Sequence, residues 1–422
     1  MSAVSEPAVS PSVTLRARPR PGLGAVWIGR EEEELVMDVL KRKELFRYYG
    51  RDPKNPPAMA ATLENEFAAM MGTKYALAVT SGTAALEVAL GALGIGPGDE
   101  VIVPAWSWIS CFTAVVRMGA LPVLAEIDET FCLAPGEIAR LKTSRTKAVM
   151  VVHYQGVAAD MDAILAEARK AGIRVIEDCA ESPGVIYRGR RVGSMGDIGT
   201  YSFQYQKTMT SGEGGMVVMN DPVLYERAVR MHDIGQMRVY HSQIVPPQVP
   251  SFSGSQFRMT ELSAAVALAQ LRRLDRVRAH CRSVQDRVRR GMGKLKGIGY
   301  RHIPDPEGDS GIEVYLYLET SELAAKFGAR LNALNVNCEK TTGTYCHYGR
   351  EYCVQRQASS PSASPFASFK EWPAKGYRKE DFPRTEGLIC RFLAMPIGVL
   401  YSEEDGDYMA AMVRRVHGEL LG

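Results

Sequence analysis

The chain has 422 residues, which at roughly 100–200 residues per domain predicts two or three domains, or one large domain with a smaller partner. Its 51 basic and 48 acidic side chains leave a net charge of +3, so charge gives no reason to expect nucleic acid or a membrane surface as a partner. The eight cysteines contain no CxxC pair and the seven histidines no metal-binding spacing. We therefore predict no metal and no disulfides, and expect a cytoplasmic protein.

The first 24 residues are rich in Pro, Ser and Arg and lack periodicity, which predicts an extended or disordered arm. They contain no apolar core of signal-peptide length, and no run of about 18 apolar residues predicts a membrane helix. Apolar residues at helical spacing predict helices over 27–42 and 59–72, the second ended by Gly72.

Short apolar strands then alternate with helices of 10–14 residues. The predicted strands are YALAVT, EVIVPA, LPVLAEID, KAVMVVH and IRVIED, followed by IGTYSF and MVVM. This alternation predicts βαβ units, and the nearly unbroken apolar character of the strands predicts burial on both faces of a mostly parallel sheet. We assign residues 25–284 to one large α/β domain.

The pattern changes after a long helical segment at 260–295. EVYLYLE predicts a strand, SELAAKFGARLNALN a helix and VNCEKTT a further strand, and a last helix is expected near the C-terminus. We assign 285–422 to a smaller α+β domain.

Three predicted strands of the large domain end at, or are followed by, residues that could bind a ligand or take part in catalysis. Ser81-Gly82-Thr83-Ala84 opens a helix and suits a phosphate, although Ser and Thr are also ordinary helix caps. Asp178 could hold a protonated ring nitrogen or a metal, or cap the next helix. Lys207, if desolvated between strands, is a nucleophile able to condense with an aldehyde, whereas a surface lysine would be inert.

Taken together, a phosphate cradle, a carboxylate and a lysine are the three anchors of pyridoxal phosphate (PLP). The motif PAWSW adds Trp106 and Trp108, either of which could stack on a pyridine ring or pack in the core.

The sequence resembles the DegT/DnrJ/EryC1/StrS sugar aminotransferases, a branch of the fold-type I PLP enzymes, over about residues 25–420. The resemblance rests on TSGTAAL, GDEVIVPAWSW, VIEDCAES, GSMGDIGTYSFQYQK, SGEGGMVV and FRMTELSAAVALAQL. It implies a seven-stranded type of sheet and homodimers with shared active sites. It also implies that Lys207 forms the Schiff base with PLP and that Asp178 pairs with the pyridine nitrogen. The implied remaining cofactor contacts are Gly82, Thr83, Ala84, Ser202 and Trp108.

Two positions depart from the pattern of that family. Glu181 stands where the family generally has Gln bonded to the cofactor's phenolic oxygen, and an ionised Glu cannot donate to a phenolate. Glu181 must therefore be protonated, pair with a cation, or point elsewhere. Gln256 stands where the family generally has an Asn that reaches the phosphate of the neighbouring subunit. Gln keeps the amide and adds one methylene, so we predict that Gln256 makes this cofactor contact from the partner subunit.

The resemblance implies transfer of an amino group from Glu or Gln to a keto-sugar or keto-cyclitol, in the biosynthesis of an amino sugar or natural product. Arg47 could meet a phosphate or carboxylate of an acidic or nucleotide-linked acceptor, or lie on a solvated turn. Tyr48 or Tyr49 could stack on a sugar, and His347 aligns near the family's substrate pocket. FRYYG and IPDPEGDS also resemble a subgroup that aminates an eight-carbon acidic sugar.

Other functions of the same fold stay open. Glu181 motivates a PLP enzyme with elimination, dehydration or cyclisation chemistry, although relatives that are dehydratases carry His in place of Lys207. A non-catalytic PLP-binding regulator is disfavoured, because no helix-turn-helix module or basic tail is visible.

Overall fold

A computed structural model of the chain describes residues 15–17, 19, 24–48, 58–339, 345–360, 364–368 and 377–422. Twelve β-strands are found in this part of the chain: β1 Tyr75–Val79, β2 Glu100–Pro104, β3 Leu121–Ala125, β4 Thr146–Val152, β5 Arg174–Asp178, β6 Ile186–Tyr187, β7 Arg190–Arg191, β8 Ile198–Ser202, β9 Gly215–Met219, β10 Gly299–Tyr300, β11 Glu313–Tyr317 and β12 Phe392–Pro396.

The helices surround and connect these strands. Within the described ranges they are α1 Arg30–Arg42, α2 Met59–Met71, α3 Gly82–Ala92, α4 Ser110–Arg117, α5 Gly136–Leu141, α6 Met161–Ala171, α7 Pro222–His232, α8 Val239–Ile244, α9 Glu261–Met292, α10 Ser321–Ala333, α11 Glu351–Val354, α12 Pro365–Ser368, α13 Pro383–Ile389 and α14 Glu403–Leu420. No helix of the described ranges is long and apolar enough to cross a bilayer.

Seven strands form the central sheet in the order β1-β9-β8-β5-β4-β2-β3. The pairs β2–β3, β2–β4, β4–β5 and β5–β8 are parallel, whereas β9 runs antiparallel to both β8 and β1. The predicted mostly parallel α/β sheet is thus confirmed. Because β1, β2, β5 and β8 point in one direction, the segments that follow them meet at the same edge of the sheet.

Local sequence signals set the ends of the connecting helices. The Asp160 carboxylate accepts a hydrogen bond from the backbone N–H of Ala163 at the start of α6. That helix ends at Gly172, which has the left-handed φ of +67° that glycine adopts without a Cβ penalty. The helices therefore begin and end near the predicted positions.

The long helix α9 belongs to two hydrophobic cores. Leu268, Leu271 and Leu274 pack into the core around the central sheet, whereas Val277 and Val284 pack into a second core with the three-stranded antiparallel sheet β10-β11-β12. The switch from the first core to the second occurs in the middle of α9, close to the domain boundary that we place at 284/285. That boundary stays a prediction.

The C-terminal part differs from the sequence prediction in two places. VNCEKTT forms no strand in its described part, residues 336–339, where Glu339 makes only an isolated bridge to Ala394. The strand that completes the small sheet is instead β12, whose residues pair with β11 across more than 70 intervening residues, as in Val314 with Met395. The apolar run of β12 is short and its partner strand is distant in the sequence, so its pairing was not visible in the sequence.

Candidate active site

A cavity of about 190 Å³ lies at the carboxyl edge of the central sheet. It brings together seven of the predicted site residues: Gly82, Thr83, Trp108, Asp178, Glu181, Ser202 and Lys207. These residues come from four separate segments that follow β1, β2, β5 and β8 or end them. The parallel arrangement of these strands is therefore what assembles the site.

Asp178 ends β5 and is almost fully buried. Its Oδ1 accepts the backbone N–H of Ala180 at 2.9 Å, and its Oδ2 accepts the thiol of Cys111 at 3.2 Å. Burial, reinforced by the charge of Asp178, raises the pKa of the Cys111 thiol well above its usual value, so the thiol keeps its proton and donates. Both carboxylate oxygens are thus held in place at the cavity wall.

Beside Asp178, a buried cluster supports the end of β5. His153 Nε2 lies 3.0 Å from Glu177 Oε2, and His153 Nδ1 accepts the N–H of Ala159 at 3.1 Å. Glu177 also accepts backbone N–H groups, including that of Gly193 at 2.7 Å. His153, Glu177 and Cys179 bring possible metal-ligand atoms within 4.8 Å of one another, but the His and Glu atoms already have protein partners. We interpret this cluster as structural.

Lys207 forms an ion pair inside the cavity. Its Nζ lies 3.6 Å from Oε1 of Glu181, and the two side chains are only 20% and 9% exposed. Of the three arrangements that the sequence left open for Glu181, the structure has the one in which it pairs with a cation.

The N-terminus of α3 forms another wall of the cavity. The Ser81 hydroxyl caps the helix by accepting the N–H of Ala84 at 3.0 Å, and Thr83 Oγ1 lies 2.7 Å from Ser110 Oγ. The N-terminal end of a helix favours an anion, because its N–H dipoles point outward. The predicted Ala84 contact is the exception, because its N–H is already donated to Ser81 and the residue does not line the cavity.

Gly82 allows α3 to approach β8 closely. A Cβ on this residue would lie 2.6 Å from Cβ and 3.0 Å from Oγ of Ser202, closer than real Cβ contacts allow. The hydroxyl of Ser202 can therefore face the helix N-terminus only because residue 82 lacks a side chain.

The two tryptophans of PAWSW have different environments. Trp106 is 1% exposed and packs among Phe131, Tyr154 and Phe392, which is the core-packing alternative. Trp108 is 50% exposed, lines the cavity, and has its ring 5.9 Å from that of Tyr345. Only Trp108 is available to cover a bound ring.

The structure contradicts the prediction that Arg47 contacts the acceptor. Arg47 is fully buried, with Nη2 2.6 Å from Glu64 Oε1 and Nη1 3.1 Å from the carbonyl of Ala78. Burial alone would lower the pKa of its guanidinium, but the charge and hydrogen bond of Glu64 together with the nearby Tyr48 and Tyr225 raise that pKa above its usual value. Arg47 is neither at the cavity nor on a solvated turn.

The other predicted substrate residues also lie outside the lining of the cavity. Tyr48 is half-buried with its hydroxyl 2.9 Å from His241 Nε2, and Tyr49 lies outside the described residues. His347 is fully buried beside Ser107 at 2.9 Å, and burial lowers its pKa to about 3. Gln256 is exposed and bridges Asp233 through its backbone, so its predicted contact needs a second subunit.

Sequence reasoning missed several polar residues that line the cavity: Ser81 as a lining group, Ser110, Gln204, Gln206, Glu213 and Tyr345. The two glutamines flank Tyr205 in FQYQK, and their spacing next to Lys207 was a signal that could have found them. Tyr345 comes from the C-terminal part of the chain, more than 130 residues from Lys207, and nothing local marks it.

The donor set of the cavity fits PLP. A helix N-terminus with two facing hydroxyls suits a phosphate, a buried oriented carboxylate suits a protonated pyridine nitrogen, and a lysine amine suits an aldehyde. The fold and the site therefore define a PLP-dependent enzyme of the fold-type I class.

Comparison with known proteins supports the assignment to this class of enzymes. The model of the DegT/DnrJ/EryC1/StrS aminotransferase family matches residues 57–414, and the chain belongs to this family. It is 32% identical over 394 residues to the spore coat polysaccharide biosynthesis protein SpsC of Bacillus subtilis, covering 92% of this chain and 95% of SpsC. It is 42% identical over 217 residues to the L-glutamine:2-deoxy-scyllo-inosose aminotransferase of Streptoalloteichus tenebrarius, covering 50% of this chain and 51% of that relative.

A solved structure resembles the whole chain. The crystal structure of 3-amino-5-hydroxybenzoic acid synthase has a TM-score of 0.76 at 29% identity, covering 96% of this chain and 99% of the synthase. The chain spans 56–66% of the length of several further curated relatives. The family and the fold are thus established, and the substrates are a matter for proposal.

Substitution of Gly82 tests the close approach of α3 and β8. We expect Gly82→Ala to weaken PLP binding by roughly tenfold or more, since overpacking a tight contact costs about 1–3 kcal/mol. PLP titration of the cofactor-free protein, followed by absorbance, measures this. Gly418→Ala in α14, where an added Cβ meets nothing within 4 Å, is the matched control, and equal affinities of the two variants would contradict the assignment.

Proposed function

We propose that this protein is a PLP-dependent aminotransferase that moves an amino group from glutamine or glutamate to a keto-sugar or keto-cyclitol. The observation that carries the proposal is that Lys207, Asp178 and the N-terminus of α3 line one cavity. The bound cofactor would supply an electron sink that stabilises negative charge on the carbon losing its proton.

The residues of the cavity would divide the work between binding and proton transfer. Gly82, Thr83 and Ser202 would hold the phosphate, Asp178 would keep the ring nitrogen protonated, and Trp108 would cover the ring. Lys207 Nζ would take the proton from Cα of the amino donor in the first half-reaction. In the second half-reaction it would deliver a proton to the former carbonyl carbon of the acceptor.

The choice of substrates rests on relatives. One relative carries both L-glutamine and a deoxy-inosose in its name, and others are GDP-perosamine synthases, which supports glutamine as donor and a cyclitol or a nucleotide-linked sugar as acceptor. An acidic acceptor has less support, because Arg47, the residue expected to meet its charge, is paired with Glu64.

A homodimer with shared active sites is part of the proposal. Gln256 is exposed on the segment before α9, where a second subunit could be reached. A cytoplasmic location is also proposed, supported by eight cysteines that are all free thiols. Light scattering coupled to size-exclusion chromatography tests the dimer directly.

The experiment that tests the activity follows the cofactor's absorbance in the two half-reactions. We expect L-glutamine or L-glutamate to convert the loaded enzyme to its pyridoxamine form. A panel of keto-cyclitols and free or nucleotide-linked keto-sugars should then restore the starting spectrum. Failure of every amino donor would reject the transaminase proposal and favour elimination or cyclisation chemistry in the same site.

A further inference from the structure

The ion pair of Lys207 is made with Glu181, although Asp178 lines the same cavity. Lys207 Nζ is 3.6 Å from Glu181 Oε1, and no ion pair joins Lys207 to Asp178 or Glu213 in the described part of the chain. Glu181 is 9% exposed, so little water screens its charge. The lysine thus has one specific counter-ion in this cavity.

The position of Glu181 is fixed by the turn after β4. The backbone N–H of Gln155 lies 3.3 Å from Glu181 Oε2, and the N–H of Gly156 is donated to the carbonyl of Glu181 at 3.1 Å. Gln155 has φ +45° and ψ +58°, the left-handed region that a non-glycine residue occupies at a cost of about 1 kcal/mol or more. Such a conformation persists only where the surroundings hold it, and here it directs an N–H at the carboxylate. Each oxygen of Glu181 therefore has its own partner, Gln155 on one side and Lys207 on the other.

We propose that Glu181 is a positioning residue that holds Lys207 Nζ against the cavity wall through their ion pair and so limits its reaction with an aldehyde. The inference rests on the proposed function only in taking Lys207 as the reactive amine. It assigns to Glu181 a role that an uncharged side chain of the same size could not have, because a neutral amide provides no counter-ion.

The chemistry of condensation explains the effect. An ammonium has no free electron pair, so Lys207 must lose a proton before its nitrogen attacks a carbonyl carbon. The amine then adds to the aldehyde, water leaves, and a C=N bond remains. Lys207 Nζ lies 3.6 Å from the Glu181 carboxylate, so this ion pair must separate before the nitrogen can reach a carbonyl carbon. The proton that the lysine loses passes to the buffer, and Glu181 loses its counter-ion once the nitrogen is bonded to carbon.

The test uses the cofactor-free protein and a probe that lacks a phosphate. 4-Pyridinecarboxaldehyde condenses with lysine amines, and cyanoborohydride reduces the C=N bond with hydride and a proton to a stable secondary amine. Peptide mass mapping then gives the rate of modification at Lys207 itself. The compared proteins are the wild type, Glu181→Gln, which keeps size but loses charge, and Glu213→Gln, which removes another carboxylate of the cavity.

We expect Lys207 in Glu181→Gln to react about tenfold or more faster than in the wild type at pH 7.5, because no ion pair has to be broken first. Glu213→Gln should react at the wild-type rate. The difference in modification rate between Glu181→Gln and the wild type should vanish near pH 11, where lysine amines are mostly neutral. The other titratable groups lining the cavity, Asp178, Glu213 and Tyr345, are the same in the wild type and in Glu181→Gln, so they do not confound this pH comparison.

Equal or slower modification of Lys207 in Glu181→Gln at pH 7.5 would overturn the proposal. Glu181→Asp, which withdraws the carboxylate by one methylene, should give an intermediate rate and carries the test if Glu181→Gln does not fold. Absence of any adduct on Lys207 in all proteins would instead reject Lys207 as the reactive amine, and with it both this inference and the proposed function. The two failures are therefore distinguishable in one data set.

Discussion

Lys207→Ala is expected to lower the transamination rate by at least about a thousandfold, because one nitrogen both binds the cofactor covalently and moves the proton. The variant should also lose PLP on dialysis. Steady-state turnover with L-glutamine and a cognate acceptor measures the first effect, and absorbance after dialysis the second.

The matched control for this prediction is Lys142→Ala, an exposed lysine outside the cavity, which should leave both readouts unchanged. Full activity or full cofactor retention in Lys207→Ala would show that another group binds the cofactor.

Asp178→Asn is expected to slow the first half-reaction by about 10²–10³-fold, as removal of one preorganised electrostatic contact does in other enzymes. The amide keeps the shape of the side chain but lacks the charge that would hold a proton on the ring nitrogen. The substitution also removes the anionic acceptor of the Cys111 thiol. Single-turnover absorbance measurements with L-glutamine give the rate of this step.

A thermal melt distinguishes chemistry from stability in this variant. The melting temperature should change little, because the Ala180 N–H keeps an oxygen acceptor at residue 178. A wild-type half-reaction rate in Asp178→Asn would remove Asp178 from the mechanism.

Much of the sheet could be predicted because its signals are local. Each strand of the central sheet is a short, mostly apolar run, helices such as α2, α3 and α6 have a cap or a glycine stop, and the order of the elements implies parallel pairing. The meeting of Asp178 with Gly82 and Ser202 follows from that order, because carboxyl ends of parallel strands share an edge.

Contacts between distant segments could not be predicted in the same way. The sequence left Arg47 as either an acceptor contact or a residue of a solvated turn, and only the packing of α2 places Glu64 beside it. His347 is buried because its neighbour Cys346 bridges to Trp106 and its own N–H is donated to the carbonyl of Ala105. Neither partner is near its residue in the sequence, so no pattern of spacing indicates it.

The role of Glu181 follows from the sequence and the structure taken together. The sequence identified it as an anion where the related enzymes have an amide, and left three arrangements open. The structure selects the ion pair with Lys207, because the turn at Gln155 holds the carboxylate within 3.6 Å of the amine. A departure from the family pattern thus becomes a specific electrostatic feature of this cavity.

We infer that Lys207 is the residue that binds the cofactor covalently. The most direct test is borohydride reduction of the PLP-loaded enzyme, followed by protease digestion and mass spectrometry of the peptides. We expect a phosphopyridoxyl group on the peptide containing Lys207, with no other lysine modified in stoichiometric amount. A phosphopyridoxyl group on a different lysine, or none on any lysine of a PLP-saturated enzyme, would contradict it.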